Sequence, residues 1–101
     1  MTRERLEKIA TRELERFLAS KEILSFKSPS TPAISIILVL FNRAELTLRC
    51  LRSLEKIISP TFEIILIDNA SSDRTPELIA RLSGVRAVRN EENIHFLRGS
   101  N

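Results

Sequence analysis

The sequence has few of the residues on which many ligand sites depend. Gly84 and Gly99 are the two glycines in 101 residues, so neither a G-x-G-x-x-G motif nor a G-x-x-x-x-G-K-[ST] phosphate loop is present. Aspartate occurs only at positions 68 and 73, so no D-x-D sequence is available to hold Mg²⁺ or Mn²⁺ through carboxylate oxygens. The sequence therefore predicts neither a metal site nor a catalytic residue in this chain.

Cysteine, aromatic residues and long apolar runs are also scarce. The single cysteine, Cys50, excludes an intrachain disulfide, fits a reducing cytoplasm, and by its place in a helical pattern is predicted to be buried. The five aromatics are all Phe and no Lys/Arg block stands out, which disfavours nucleic-acid binding. The longest apolar run, Ile36 to Phe41, is far shorter than the roughly 20 residues that span a bilayer. With a charged amino terminus and no signal peptide, the chain is predicted to be soluble and cytoplasmic.

Two apolar runs in the chain each end abruptly in polar residues. Residues 34–41 read Ile-Ser-Ile-Ile-Leu-Val-Leu-Phe before Asn42, and residues 62–67 read Phe-Glu-Ile-Ile-Leu-Ile before Asp68. Strands covered by helices on both faces of a parallel sheet have this pattern. A third strand is predicted at 85–88. The alternation with helical patterns predicts a β-α-β-α-β unit with right-handed crossovers, in the strand order 3-2-1 or 2-1-3.

Three helices are predicted around these strands. Residues 2–20 carry one apolar stripe and should pack on the domain, with a coiled-coil contact or a membrane-surface helix as alternatives. The second helix should begin at an Asn42 cap and end at Pro60, and a short third helix should begin at Thr75 and stop at Gly84. The expected buried face of the second helix consists of Leu46, Cys50, Leu51, Leu54, Ile57 and Ile58.

The pairing of a V-L-F-N strand end with an I-D-N-A-S-S-D strand end resembles the nucleotide-sugar half of family-two, GT-A-fold glycosyltransferases. The tail from residue 89, R-N-E-E-N-I-H-F-L-R-G-S-N, is similar to that family's N-x-x-N-x-G-F stretch, with His95 where glycine is usual. The resemblance implies an α/β fold, a partial GT-A (Rossmann-like) parallel sheet with flanking helices. The expected division is an amphipathic helical segment at 1–24, a Pro- and Ser-rich linker at 25–33 and an incomplete GT-A domain at 34–101.

The resemblance also implies a nucleotide site beyond the carboxyl ends of the strands, where parallel sheets bind ligands. Asp68 would accept a hydrogen bond from the imide of a uracil base, because an ionised carboxylate is an acceptor only. Phe41 would lie against the base and ribose, Asp73 would shape the loop, and lone His95 is expected to be structural rather than a catalytic base. The nucleotide-binding residues implied in this way are Val39, Leu40, Phe41, Asp68, Asp73 and Arg98.

As a function, the resemblance implies a glycosyltransferase that uses a nucleotide sugar, most simply a UDP-sugar, in polysaccharide or cell-surface glycan synthesis. A divalent cation, Mg or Mn, is expected for the complete enzyme and none is expected to be held by this chain. Without a D-x-D sequence and an acceptor half, the chain alone should be inactive. It should also expose an apolar patch and self-associate through that sheet or the amino-terminal helix.

Two other functions compete with the glycosyltransferase hypothesis. One is a non-catalytic α/β interaction domain that uses the amino-terminal helix. The other is a receiver-like signalling domain with Asp68 as phospho-acceptor. Such a domain needs an acidic pair after its first strand, where this sequence has Leu40-Phe41-Asn42.

Overall fold

A computed structural model describes residues 2–27, 29–57 and 61–91. It confirms an α/β fold in which helices flank parallel strands, consistent with a partial GT-A sheet. The three main strands pair in parallel in the order β2-β3-β5, and β1 pairs in parallel with β4. In chain order the elements are α1 (Arg3–Ala19), β1 (Leu24–Ser25), β2 (Ile34–Leu40), α2 (Ala44–Glu55), β3 (Phe62–Asn69), α3 (Thr75–Ile79), β4 (Leu82–Ser83) and β5 (Arg86–Asn90).

Helices cover one face of the three-stranded sheet, and the prediction that β2 is buried on both faces is wrong. Leu40, Ile64 and Leu66 belong to the core on the covered face. On the opposite face, named here the open face, Ile37 is 57% and Val88 is 55% exposed. Both crossovers move in the same direction across the sheet, and crossovers of one hand then place their helices on the same side. The predicted apolar patch is therefore observed on the open face.

Helix α1 packs on the domain, as its apolar stripe predicts. Leu14, Phe17 and Leu18 belong to the same buried core as Leu48 and Leu51 of α2. Two ion pairs also join the helices, Glu13–Arg49 at 3.2 Å and Glu7–Arg43 at 3.3 Å. The coiled-coil and membrane-surface alternatives would need the apolar stripe that this packing already buries.

The carboxyl end of α1 is held by Arg81, which follows α3. The Arg81 guanidinium donates to the carbonyl oxygens of Leu18 at 2.7 Å and Ser20 at 2.8 Å, and to those of Phe17 and Glu22 at 3.4 Å each. A cation at this position satisfies carbonyls that have no partner within the helix and faces the negative end of its dipole.

The linker predicted at 25–33 begins too early. Ser25 lies in β1, where it pairs with Ser83, and the amide of Phe26 donates to the carbonyl oxygen of Ser83 at 2.8 Å. This pairing joins residues almost 60 positions apart, so local composition could not indicate it.

The predicted buried face of α2 is confirmed for Leu51 and Leu54 and wrong for its other described residues; Ile58 lies outside the described residues. The buried residues of α2 are Ala44, Thr47, Leu48 and Leu51, whereas Cys50 is exposed and Leu46 is 39% exposed. Ile57, beyond the helix, is 51% exposed. The sequence offers two apolar stripes in this segment, and contact with α1, β1 and α3 determines which one is covered.

Gly84 does not end a helix, contrary to the prediction. Helix α3 ends at Ile79, and Leu82, assigned to that helix from the sequence, lies in β4. Gly84 follows β4 with φ +81°, and a Cβ at this position would lie 1.9 Å from the carbonyl oxygen of Phe26. Glycine is required here because β1 approaches the backbone closely.

Candidate functional site

The candidate site lies where the three main strands end side by side. Leu40, Asp68 and Arg89 are in register across β2, β3 and β5, and Asn69 and Asn90 form the next paired row. Successive residues of a strand point to opposite faces, so these two rows belong to different sides of the sheet. The first row faces the helices, and the second row shares the open face with Val88.

The two loops that follow β2 and β3 are joined directly to each other. The Asn42 amide donates to Ser71 Oγ at 2.8 Å, and Asn42 Oδ1 accepts from the amides of Ser72 at 2.8 Å and Asp73 at 3.2 Å. Asn42 adopts φ 57°, a left-handed conformation that asparagine tolerates better than most residues. The predicted Asn42 cap of α2 is therefore wrong, because this side chain bonds the neighbouring loop.

Asp73 supplies the cap that α2 lacks. Its Oδ2 accepts from the amide of Ala44, the first residue of α2, at 3.0 Å. Its Oδ1 accepts from the Thr75 amide at 2.9 Å and from Thr75 Oγ1 at 2.6 Å, which caps α3. Burial raises the pKa of Asp73, but the hydrogen bonds from the Thr75 hydroxyl and the Ala44 and Thr75 amides outweigh it, so the pKa is lowered from its ordinary value. Through these hydrogen bonds Asp73, which was predicted to shape the loop, connects the loop after β3 to the starts of α2 and α3.

Asp68 is almost fully buried, with 2% of its surface exposed. Its Oδ1 accepts from the Ser71 amide at 3.1 Å, and its Oδ2 lies 2.6 Å from Arg89 Nη1. The same guanidinium donates through Nη2 to the carbonyl oxygen of Ser71 at 3.2 Å. Buried carboxylates normally have such a partner, because an unpaired buried charge is costly.

Sequence reasoning missed Arg89. Because Arg89 is in register with Asp68, aligning the carboxyl ends of the second and third predicted strands would have placed the two charges side by side. The predicted third strand ended at Val88, two residues before the end of β5, so this signal was lost.

The remaining predicted residues separate onto different parts of the molecule. Val39, on the open face, is 40% exposed and Phe41, just after β2, is 49% exposed, whereas Leu40 is 8% exposed and belongs to the core. Phe41 therefore does not close the core and is available to a ligand. Arg98 and His95 lie outside the described residues.

Two side-chain amides bond each other at the carboxyl ends of β3 and β5. Asn90 Nδ2 donates to Asn69 Oδ1 at 2.8 Å, and Asn69 is only 5% exposed. The signal for this pair was present, because Asn69 directly follows the Asp68 strand end and Asn90 was matched to the family's tail motif.

A small cavity of about 150 Å³ lies on the other side of this edge. Nucleotide-sized ligands usually occupy clefts of roughly 300–1,000 Å³, so this cavity cannot contain one. Its lining residues are Asp68, Pro76, Ile79, Ala87, Val88 and Arg89.

The described part of the chain brings together no three His, Cys, Asp or Glu side chains that could hold a metal ion. Within the same residues, no helix has the length and apolar character required to cross a membrane.

Comparison with known proteins agrees with this geometry. The family model for glycosyl transferase family 2 matches residues 35–99, which contain all three main strands except Ile34. The chain is 33% identical over 76 residues to "Uncharacterized protein MT1568" of Mycobacterium tuberculosis (strain CDC 1551 / Oshkosh), a match that covers 73% of this chain and 24% of that protein. The chain thus spans about a quarter of the length of this relative. No solved structure matches this chain. By its family match, the chain belongs to glycosyl transferase family 2.

Proposed function

We propose that this chain is the nucleotide-binding part of a glycosyltransferase that transfers sugar from a nucleotide-sugar donor, a UDP-sugar. We further propose a role in polysaccharide or cell-surface glycan synthesis, with the protein in the cytoplasm. One observation carries the proposal: within the family-matched residues, three parallel strands end together at two loops that are hydrogen-bonded to each other. A pre-formed carboxyl edge of this kind is where α/β sheets bind nucleotides.

The residues of this edge divide into contacting and supporting groups. Phe41 offers an exposed ring to the base and ribose, and the strand end at Val39 and Leu40 offers backbone groups. Asp68 and Asp73 hold the two loops in place through their hydrogen bonds. Arg98, outside the described residues, is proposed to reach the diphosphate.

We propose that the transfer of the sugar requires residues that this chain does not contain. The complete enzyme would use Mg²⁺ or Mn²⁺ to neutralise the diphosphate, and the described residues contain no suitable ligand group for it. We expect the 101 residues alone to transfer no sugar. Losing contacts made only in the transition state removes rate as well as affinity.

The receiver-like alternative is disfavoured by the surroundings of Asp68. A phospho-acceptor carboxylate must be reached by a phosphodonor, whereas Asp68 is buried and paired with Arg89.

Self-association through the open face is part of the proposal, because Ile37 and Val88 are exposed there.

The test is a titration of ¹⁵N-labelled chain with uridine diphosphate, with uridine and inorganic phosphate as separate controls. We expect weak, saturable shifts of amides at the carboxyl edge, in residues 40–43 and 68–73, and a smaller response to either control. Shifts confined to other parts of the chain would contradict the proposal. Glycosyl transfer by the chain alone would show that the chemical machinery is not missing.

A further inference from the structure

We infer that two copies of this chain join through strand β2, on whose outer side the described part of the chain places no other strand. This inference rests on the self-association proposed above and names the strand that carries it. The side of β2 that faces away from β3 is named here the free edge. Two free edges pair in antiparallel orientation, so the two three-stranded sheets become one continuous sheet.

The direction of the backbone groups along β2 identifies the residues that meet the second copy. The amide of Ile34 donates to the carbonyl oxygen of Thr61, just before β3, at 3.2 Å, so the backbone of Ile34 points towards β3. Successive residues of a strand direct their N–H and C=O groups to opposite sides. The backbone groups that point to the free edge therefore belong to Ser35, Ile37 and Val39.

The sequence of β2 does not protect this edge against pairing. Its seven residues, Ile34–Leu40, include no charged residue and no proline. Proteins usually blunt an exposed edge with charges, proline or a very short strand. At the other side of the same sheet, β5 carries Arg86 and Arg89, and β1 and β4 are two residues long each. Among the described strands, β2 is therefore the long edge that is open to pairing.

The helices stop short of the free edge. On the covered face, Ile36 and Leu38 of β2 are half-buried. Their register partners in β3, Ile64 and Leu66, are 1% and 0% exposed. The helices thus cover the middle of the sheet and leave its β2 border accessible, so an added strand can reach the border without displacing a helix.

Strand β2 is complementary to itself in the antiparallel orientation. With a two-fold axis beside Ile37, this residue lies opposite its own copy, Ser35 lies opposite Val39, and Ile34 lies opposite Leu40. The residues with outward backbone groups then face each other and form about six inter-strand hydrogen bonds. Ile34 and Ile37, 58% and 57% exposed, each gain an apolar neighbour across the new strand pair. Since β2 supplies both halves of this contact, the occupant is a second copy of the chain.

The size of this contact makes the dimer a weak one. Stable protein interfaces bury roughly 1,200–2,000 Å² in total, and the pairing of two seven-residue strands buries less. We therefore expect a reversible dimer with a dissociation constant of roughly micromolar to millimolar. The two-fold axis is perpendicular to the sheet, so the open faces of the two copies form one surface.

The experiment measures the mass of the full chain by sedimentation velocity from about 10 μM to about 1 mM, and hydrogen exchange at both ends of this range. We expect the mass to rise from that of a monomer towards twice that value. The amides of Ser35, Ile37 and Val39 should exchange roughly threefold or more slowly at the higher concentration. The amides of Ile36 and Leu38 point towards β3 and should change less.

Two proline substitutions test the edge itself. Ile37→Pro removes an outward N–H and leaves the hydrogen bonds between β2 and β3 in place, a change that edge strands tolerate. It should weaken association roughly tenfold or more. Ala87→Pro is the matched control, because by the same alternation Ala87 directs its N–H to the outer side of β5. It should associate like the wild type.

Slower exchange at the three outward amides, with association lost in Ile37→Pro and kept in Ala87→Pro, is the supporting result. Association of a folded Ile37→Pro within roughly twofold of the wild type would overturn the inference, as would association of the wild type without slower exchange at these amides. The exchange is measured on the wild type, so it decides the question even where circular dichroism shows that Ile37→Pro is unfolded.

The outcomes also distinguish this inference from the proposed function. Association that Val88→Lys abolishes and Ile37→Pro leaves unchanged would overturn the pairing of β2 and leave the proposed contact through the open face standing. A wild-type chain that stays monomeric over the whole range would overturn both. Neither result bears on the titration with uridine diphosphate, which tests the nucleotide-binding part of the proposed function separately.

Discussion

Replacing Asp73 with alanine removes a carboxylate that caps two helices at once. Asp73 accepts from the first amide of α2 and from the amide and hydroxyl of Thr75 at the start of α3. Loss of one amino-terminal cap costs about 1 kcal/mol. The Thr75 hydroxyl, on a residue with 0% exposure, would also lose its acceptor, which adds about 1 kcal/mol. We therefore expect Asp73→Ala to lower the free energy of unfolding by about 2–3 kcal/mol.

The measurement is thermal unfolding followed by circular dichroism. A loss of this size lowers the midpoint by roughly 10–20 °C in a domain of this length. Glu77→Ala is the matched control, because Glu77 is a nearby acidic residue, in α3, whose ion pair with Arg74 is exposed to solvent. A midpoint for Asp73→Ala equal to that of Glu77→Ala would refute the capping argument.

The pH dependence of the same site has a definite sign. Hydrogen bonds to the ionised carboxylate lower the pKa of Asp73 from its ordinary value of 3.8, so the folded protein holds this proton less tightly than the unfolded chain. The stabilisation is therefore present above about pH 4 and is lost as the pH falls through the lowered pKa. The advantage of wild type over Asp73→Asn should shrink in that range, and a difference that stays constant down to pH 2 would contradict this assignment.

Three further changes test other parts of the structure. Arg81→Met should speed hydrogen exchange in α1 more than in β3, because it removes the donors to four carbonyls at the end of α1, and equal protection in the variant would contradict this. Gly84→Ala should lower the thermal midpoint by roughly 10 °C or more, since the new Cβ would collide with the Phe26 carbonyl; an unchanged midpoint would show that β1 can move away at little cost. Val88→Lys should reduce the mass observed by analytical ultracentrifugation at high concentration if the open face mediates self-association, whereas Lys27→Glu, outside this face, should not; equal association of both variants would place the contact elsewhere.

The order of the three helices and three main strands could be predicted from local sequence pattern, whereas β1 and β4 could not. The apolar run of β2 and the run that begins β3, each ending in polar residues, indicated parallel strands and their carboxyl edge. The apolar stripe of α1 indicated that this helix packs on the domain, and the two loop motifs indicated the family that the family-model match over residues 35–99 confirms. These features depend on residues close together in the chain, where periodicity and composition carry the information.

The partners of the polar residues were decided only by tertiary structure. Asn42 looked like the cap of its own helix, yet it bonds the loop after β3, and Asp73 from that loop caps α2 in its place. Asp68 looked like an open ligand group, yet Arg89 of β5 covers it. Each exchange joins residues about 20 to 30 positions apart, and such pairings depend on strand order and register.

The covered face of each element was likewise settled by the fold. Strand β2 is apolar on both sides, so its sequence could not show that Ile37 faces outward while Leu40 enters the core. Residues of α2 form two apolar stripes, and only contact with α1, β1 and α3 selects the one that contains Leu48 rather than Cys50. Local sequence therefore determined which segments form the three helices and the three main strands. Their neighbours determined which side is buried, because burial is a property of the surface that another element covers.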